Sequence, residues 1–337
     1  MAKPINEQIV VITGASSGIG RVTALEFGKA GAQVVLAARN EKALLETAIE
    51  IELAGGKALA VPTDVTDQDQ MHQLARSTVE KFGRIDTWVN NAGVSVYGTA
   101  DEITEDEAQR IMQVNFFGIV HGVNAALPYM KAQGGGTIIN TGSVESKRAL
   151  PLQSVYAASK FAVKAYTDAL RMEQMHARTG VEVVLIMPSG INTPLFSHAR
   201  SKRGLKPRPV PPTYAPEEVA KAILSAAVMP QREITVGGAG FVLGTLEKFI
   251  PGILDRVMTV GGSFYKLQLT DQPQSGQDNL FDYVPGSGRV HGEFARKGKL
   301  SMFTPLFELA PRAVRPVAAV AGAIALAVPV VLRLRRG

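Results

Sequence analysis

Short apolar runs alternate with amphipathic helical patterns along the first 190 residues, and this alternation constrains the fold more than any other feature. The runs are continuously apolar, which is typical of strands in a parallel sheet covered on both faces. They comprise residues 9–13, 34–38, 58–62, 85–90, 137–141 and 181–187. Between them, segments such as 21–30, 41–54 and 67–82 carry apolar residues at helical spacing. The sequence therefore predicts an α/β fold with a doubly wound parallel sheet.

Composition excludes several classes of site. The chain has no cysteine, so it has no disulfide, thiolate zinc site or iron–sulfur cluster. Its five histidines show no metal-ligand spacing, and no metal site is expected. Residues 241–337 carry 12 Lys and Arg against 7 Asp and Glu, so most of the net charge of +6 lies there. A nucleic-acid binder would concentrate basic residues on its main domain, so nucleic acid is not an expected partner.

A glycine-rich turn follows the first apolar run. Its sequence, TGASSGIG, spans residues 13–20 and leads into the first helical pattern. Glycines allow a sharp turn and close backbone approach to a pyrophosphate, and the helix N-terminus supplies free N–H groups. A strand–helix turn can use glycine for steric reasons alone. In this context the turn favours dinucleotide binding through Gly14, Ser16, Ser17, Gly18, Ile19 and Gly20.

The end of the second run indicates which dinucleotide is bound. NAD-dependent enzymes place a carboxylate there for the ribose 2′-hydroxyl. Here the sequence reads Leu36-Ala37-Ala38-Arg39, without an acid. A guanidinium binds a phosphate with two parallel hydrogen bonds, so Arg39 favours NADP(H), although an arginine here can also be a solvated surface residue.

Tyr156 and Lys160 lie four residues apart and so share one face of a predicted helix. A phenol is a poor base at neutral pH, and a neighbouring ammonium is expected to lower the pKa of Tyr156. Such a pair is common on helix surfaces, so the residues around it must show whether it is functional. Ser143 follows the run 137–141, and Asn115 lies in the preceding helical pattern.

Taken together, these residues resemble the short-chain dehydrogenase/reductase family. Seven elements occur in the family's order over about residues 6–240: the glycine turn, Asp64-Val65, Asn90 to Gly93, Asn115, Ser143, the Tyr156/Lys160 pair and residues 188–193. The family has a Pro-Gly pair where this chain has Pro188-Ser189 followed by Gly190. A small residue is kept, so we expect only a local adjustment.

The resemblance implies a role for each matching residue. Tyr156 is the general acid in carbonyl reduction, Ser143 binds the substrate oxygen, Lys160 holds the nicotinamide ribose and lowers the pKa of Tyr156, and Asn115 orders a water. The remaining positions implied to contact the cofactor are Asp64, Val65, Asn91, Ala92, Gly93, Pro188, Gly190 and Thr193. Family members also associate through core helices, which implies a homo-oligomer.

The chain is about 90 residues longer than a minimal member of the family, and we predict three regions. Residues 1–240 form the Rossmann-like catalytic domain, 241–312 a partly helical and partly irregular extension, and 313–337 a hydrophobic C-terminal segment. The apolar stripe within 241–258 either packs on the core or covers the substrate cleft. No signal peptide pattern precedes the first apolar run, so we expect a cytoplasmic catalytic domain.

The 17 residues 316–332 carry no charge and are flanked by arginines. As a helix they would span roughly 25 Å. A single transmembrane anchor is the first interpretation. Attachment to a membrane surface, and a helix buried in the fold or in a dimer contact, are the alternatives.

The function expected from the sequence is an NADP(H)-dependent oxidoreductase that interconverts a ketone or aldehyde and an alcohol, on a hydrophobic substrate. Two alternatives remain open. One is a dinucleotide-binding scaffold or redox sensor without turnover. The other is a 3-oxoacyl-thioester reductase, which the long tail disfavours because such enzymes resemble the minimal core.

Overall fold

The computed structural model describes residues 3–260, 263–274, 276–286, 288–294, 300–301 and 303–309. Its strands are β1 (Ile9–Thr13), β2 (Gln33–Ala38), β3 (Lys57–Pro62), β4 (Thr87–Asn90), β5 (Val96–Tyr97), β6 (Gly136–Thr141), β7 (Val181–Pro188), β8 (Arg200–Ser201), β9 (Leu205–Pro207), β10 (Glu233–Val236) and β11 (Leu269–Pro273). The helices are α1 (Gly18–Lys29), α2 (Glu41–Leu53), α3 (Gln68–Phe82), α4 (Glu105–Met112), α5 (Gly118–Ala132), α6 (Ser154–Ala177), α7 (Leu195–His198), α8 (Pro216–Val228), α9 (Gly238–Phe249), α10 (Pro251–Thr259) and α11 (Ser263–Gln268).

Seven strands form one parallel sheet in the order β10-β7-β6-β4-β1-β2-β3. The order reverses between β1 and β4, so the carboxyl ends of these two strands flank a crevice. In doubly wound sheets this switch point is where ligands bind. The predicted Rossmann-like α/β sheet is thereby confirmed, with its predicted strands at or near their expected positions.

Two apolar cores cover the two faces of the sheet. Because the strands are continuously apolar, they bury side chains on both sides, as Val10 and Val11 do in adjacent positions. One core contains Trp88 and is covered by α3, α5 and α6. The other contains Phe27, which belongs to α1, and is covered by α1, α2 and α8. The sheet is therefore held rigidly, and so is the row of side chains at its carboxyl edge.

A π-helical turn, Gln113–Phe117, joins α4 to α5. Such bulges insert one extra residue per turn and are frequent at functional sites. The turn points Asn115, which is fully buried, toward Val94 and Ser159. Sequence periodicity predicted an uninterrupted helix here and could not distinguish this turn from α-helix.

The extension packs onto the main domain. Helix α9 begins at Gly238, directly after β10, and Gly240 lies so close to Val144 that an added Cβ would be 2.2 Å from a methyl group. Helix α10 starts at Pro251, and β11 pairs antiparallel with β9. Irregular chain follows. We call its described residues 276–286 and 288–294 the strap.

None of the helices in the described part of the chain is both long and apolar enough to cross a membrane. The segment 316–332, on which the anchor hypothesis rests, lies outside the described residues.

Candidate active site

One large cavity of about 890 Å³ lies at the carboxyl edge of the sheet. It extends from the glycine turn at the start of α1, across the ends of β4 and β6, to α9. All the residues predicted to form the site line it except Gly20 and Asn115, which support it from behind. The volume falls in the range of small-molecule and cofactor sites.

The glycine turn packs tightly against the loop after β4. Gly14 adopts a φ of +67°, and an added Cβ would lie 2.8 Å from the Cα of Ala92. At Gly20 an added Cβ would lie 2.1 Å from the carbonyl oxygen of Gly14. Asn91 joins the two loops, since its backbone N–H donates to Thr13 Oγ1 over 3.0 Å. Only glycine fits at these two positions, and the turn holds the N-terminus of α1 toward the cavity.

Thr193 packs against the other side of the turn. Its Cβ would lie 3.3 Å from a Cβ added at Gly18. The Pro188-Ser189-Gly190 variation is accommodated locally, because Ser189 Oγ donates to the carbonyl of Gly237 over 3.1 Å. At Gly190 an added Cβ would lie 2.5 Å from the carbonyl oxygen of Val210.

Ser143, Tyr156 and Lys160 meet at the inner end of the cavity. Ser143 ends the loop after β6, and its side chain hydrogen-bonds that of Tyr156. Lys160 lies one turn along α6, with its Nζ 5.6 Å from the centre of the Tyr156 ring. The Lys160 ammonium donates to the carbonyl of Thr141 over 2.9 Å. The three side chains are therefore fixed by a strand end and one helix.

Asn115 supports this group without lining the cavity. Its amide nitrogen donates to the carbonyl of Val94 over 3.0 Å and to Ser159 Oγ over 3.1 Å, and its oxygen accepts from the N–H of Val94 over 2.9 Å. A Cβ added at Gly93 would lie 3.5 Å from Asn115 Oδ1 and 3.9 Å from Lys160 Nζ. Asn115 thus fixes the loop that borders Lys160.

Burial determines the protonation of the inner group. It raises the pKa of Tyr156 above its ordinary value, and the nearby Glu145 carboxylate raises it further, while the hydrogen bond to Ser143 opposes the rise. Burial also lowers the pKa of Lys160 to about 8, against the attraction of Glu145. Desolvation of the phenol dominates the pKa of Tyr156 in this arrangement, and the lowering of that pKa by Lys160 stays a prediction.

Arg39 and Asp64 line the opposite end of the cavity, and Arg110 pairs with Asp64. Asp64 accepts from the backbone and side chain of Thr66 over 2.9 and 2.8 Å and pairs with Arg110 at 3.1 Å. Burial disfavours the ionised carboxylate, but these hydrogen bonds and the Arg110 charge keep the pKa of Asp64 below its ordinary value. Val65 is buried beside it.

Arg39 contacts the strap. Its two terminal nitrogens donate to the carbonyls of Phe281 over 2.5 Å and Asn279 over 2.8 Å. Arg110 donates to the carbonyl between them, that of Leu280, over 3.0 Å. Sequence reasoning did not predict these contacts, because the strap shows no periodicity and its backbone carbonyls leave no signal in the sequence.

The strap continues across the cavity to the start of α1. The backbone N–H of Gly18 donates to the carbonyl of Arg289 over 2.9 Å, and that of Gly292 donates to the carbonyl of Asn192 over 3.1 Å. Tyr283 and Val284 line the cavity from this side. The strap and the glycine turn therefore border the same cavity from two sides.

Apolar side chains enclose the region beyond Tyr156. They come from α7, α9, α11 and the chain around 210 and 303, and comprise Leu195, Phe196, Val210, Val242, Leu243, Leu246, Phe264 and Phe303. Val242 and Leu246 of the 241–258 stripe line the cavity, as does Leu243, and the covering of a substrate cleft stays a prediction. Glu145, which sequence reasoning also missed, lies among the lining residues.

This fold and this glycine turn define the class of dinucleotide-binding α/β proteins. The sequence profile of the short chain dehydrogenase family matches residues 8–204. The chain thus belongs to the short-chain dehydrogenase/reductase family and is an oxidoreductase of that type.

Individual relatives support this assignment to the family. The chain is 37% identical over 325 residues to the uncharacterized oxidoreductase YxnA of Bacillus subtilis, covering 96% of this chain and 90% of the relative. It is also similar to a solved short-chain dehydrogenase/reductase of Burkholderia phymatum in complex with NAD, with 27% identity, a TM-score of 0.69 and coverage of 75% and 96%. An alcohol dehydrogenase from the archaeon Thermococcus sibiricus, complexed with 5-hydroxy-NADP, gives 25% identity, a TM-score of 0.59 and coverage of 68% and 95%.

Proposed function

We propose that the protein is an NADP(H)-dependent oxidoreductase that interconverts a ketone or aldehyde and an alcohol on an apolar substrate. The observation that carries the proposal is the arrangement of Ser143, Tyr156 and Lys160 in one cavity with the glycine turn. Relatives of this chain bind NAD in one case and an NADP derivative in another.

The residues that line the cavity fit a nicotinamide dinucleotide, provided that the strap releases the N–H of Gly18. Bound there, the cofactor supplies the hydride. The N-terminus of α1 would hold the pyrophosphate, Asp64 and Val65 would border the adenine, and Lys160 and Thr193 would bind the nicotinamide ribose and carboxamide. Arg39 supports NADP(H), since the position lacks the carboxylate typical of NAD enzymes. A guanidinium has five N–H donors, and the two donors used by the strap leave others for a 2′-phosphate.

The proton comes from Tyr156 in this proposal. Because its raised pKa keeps the phenol protonated at neutral pH, Tyr156 donates its proton to the carbonyl oxygen as the alcohol forms. Ser143 donates a hydrogen bond to the same oxygen, and the Lys160 ammonium stabilises the phenolate that remains. Apolar walls beyond Tyr156 favour a substrate with a hydrophobic body.

The test is NADPH oxidation by the full-length protein with ketones and aldehydes from short and polar to long-chain and sterol-like. We expect turnover to rise with substrate apolarity, and Tyr156→Phe to lower kcat by about 10² to 10⁴. Tyr166→Phe is the matched control, since Tyr166 lies on the same helix but packs against Phe116 outside the cavity. Tight NADPH binding without turnover of any substrate would instead favour the sensor hypothesis.

A further inference from the structure

Glu145 is a buried carboxylic acid at the inner end of the cavity. It lies two residues after Ser143, and its side chain lines the same cavity as Tyr156. Only 5% of the residue is exposed. Its backbone N–H donates to Ser143 Oγ over 3.1 Å, which fixes the turn that carries it. Glu145 is thus positioned beside the group that handles the reacting oxygen.

One of its two carboxyl oxygens has a protein partner and the other has none. The carboxyl accepts a hydrogen bond from the backbone N–H of Leu150. The second oxygen, Oε2, is buried without a hydrogen-bond partner among the described residues. A buried polar atom without a partner destabilises the fold. Because Glu145 lines the cavity, a ligand bound there can supply the missing partner.

Other polar side chains around Glu145 already have partners. Gln153 donates to the side chain of Gln268 over 2.9 Å and accepts from Ser95 over 3.4 Å. Ser143 is engaged with Tyr156 and with the Glu145 backbone. Within the described part of the chain, two further cavity-lining oxygens have no hydrogen-bond partner, Thr141 Oγ1 and Asn279 Oδ1. These two belong to residues whose carbonyls hold Lys160 and Arg39, respectively.

The chemistry of the carboxyl group selects the class of ligand. Burial raises the pKa of Glu145 to about 8, so at neutral pH it carries a proton and offers both a donor and an acceptor. A hydroxyl group also offers both. A substrate ammonium is disfavoured, because it would lie near the positive charge of Lys160, which interacts with the Glu145 carboxyl.

We propose that Glu145 recognises a hydroxyl group that the substrate carries near its reacting carbonyl, so that the preferred substrates are apolar hydroxyketones and the corresponding products are diols. This inference rests on the proposed carbonyl reduction, since it assigns a second anchoring point to the same bound substrate. It makes Glu145 a specificity-determining residue that selects among ketones by their second oxygen.

The kinetic test compares 2-decanone with 1-hydroxy-, 3-hydroxy- and 4-hydroxy-2-decanone in the full-length protein with NADPH. We expect kcat/KM of the wild type to favour at least one hydroxyketone by about tenfold or more, the size of one net hydrogen bond to a buried acid. Glu145→Gln keeps the shape and part of this preference. Glu145→Leu brings the ratio of hydroxyketone to 2-decanone close to one.

A second measurement separates this inference from the proposed reaction. In the presence of NADP⁺, the diol formed from the preferred hydroxyketone (1,2-, 2,3- or 2,4-decanediol) and 2-decanol are compared by the rise in Tm that each gives, which needs no turnover. We expect a larger rise with the diol in the wild type and equal rises in Glu145→Leu. A wild type that reduces 2-decanone without any hydroxyl preference, a preference that survives in Glu145→Leu, or a preference for 1-amino-2-decanone over the hydroxyketones would overturn the assignment.

Discussion

Four ionisable side chains share the inner end of the cavity: Tyr97, Glu145, Tyr156 and Lys160. Burial favours the neutral form of each. It raises the pKa of both tyrosines, raises that of Glu145 to about 8 and lowers that of Lys160 to about 8. A neutral Tyr156 phenol is able to donate a proton. Lys160 and Glu145 interact, and they titrate as a pair rather than singly.

The pH dependence of reduction follows from this pair. Because the pKa of Lys160 is lowered to about 8, its side chain is a charged ammonium below about pH 8 and loses its proton above that pH. Because the ammonium stabilises the Tyr156 phenolate, we expect kcat/KM for ketone reduction at saturating NADPH to be level near neutral pH and to fall above about pH 8. A profile from pH 6 to 10 measures this limb.

Glu145→Gln provides a second test of the predicted pH profile, because it should shift the falling limb. Glu145 ionises near the same pH as Lys160, and its carboxylate then raises the pKa of Lys160, so Glu145→Gln moves the falling limb to lower pH. Glu233→Gln is the control, because Glu233 pairs with Lys147 and Lys164 and does not line the cavity. A limb that stays in place in Glu145→Gln would show that another group controls the rate.

Arg39 is predicted to set the cofactor preference. Hydrogen bonds between charged groups contribute about 1.5 to 3 kcal/mol, so we expect Arg39→Ala to reduce the ratio of NADPH to NADH affinity by roughly 10- to 100-fold. Fluorescence titration with both cofactors measures the ratio. Arg39 also holds the strap, and Arg200→Ala serves as the control because Arg200 binds the strap through Asp278 at 2.8 Å. An equal change of the ratio in both variants would assign the effect to the strap.

The strap is the element that most distinguishes this chain from a minimal domain of its fold. Its backbone occupies the N–H of Gly18 and two donors of Arg39, at the positions where the phosphates of a dinucleotide would bind. Leu280, at its centre, is fully buried in the core that contains Trp88. The strap is therefore a packed part of the domain that must shift when the cofactor enters or leaves.

Gly292 offers a way to loosen the strap. An added Cβ there would lie 2.6 Å from the carbonyl oxygen of Thr193, so Gly292→Val pushes the strap away from the cavity. Since the strap must move for both binding and release, we expect both NADPH association and dissociation rates to rise several-fold, while Kd changes less. Stopped-flow fluorescence measures the two rates. Gly252→Ala is the matched control, because nothing lies within 4 Å of a Cβ at that position. Unchanged rates in Gly292→Val would exclude a gating role.

The elements of the structure differ in how well they could be predicted from the sequence. The sheet was predictable because fully buried parallel strands are continuously apolar, and the Ser143, Tyr156 and Lys160 positions because their order and spacing are specific. Glu145 was not, since a charged residue is ordinarily exposed and nothing in the local sequence signals burial. The strap was not, because its contacts use backbone carbonyls and one buried leucine in a segment rich in Gly, Pro, Asp and Gln.

At the scale of the whole molecule, one face of α6 carries exposed apolar residues that no described part of the chain covers. Phe161, Met172 and Met175 lie on the same side of this helix at 100° per residue, and they are 44%, 62% and 70% exposed. Contiguous exposed apolar surface is typical of association sites. We propose that copies of the chain associate through this face.

Sedimentation velocity tests the association. We expect the wild type to sediment as a dimer or larger, and Met172→Glu to shift it toward the monomer, because a charge placed in an apolar interface must be desolvated. Leu53→Glu is the control, since Leu53 is 84% exposed on α2, away from this face. Identical sedimentation of wild type and Met172→Glu would locate the contact elsewhere.

Contacts before and after the strap hold it in place. These contacts lie away from the positions where the phosphates of a cofactor would bind. Before it, β11 pairs with β9. After it, the chain returns to the far edge of the sheet, where the N–H of Ser301 donates to Glu218 over 3.1 Å and Gln231 donates to the carbonyl of Glu308 over 3.0 Å. These contacts hold the chain after the strap at the edge of the sheet. The cover over the cavity is thus held from both sides, by β9 before it and by the sheet edge after it.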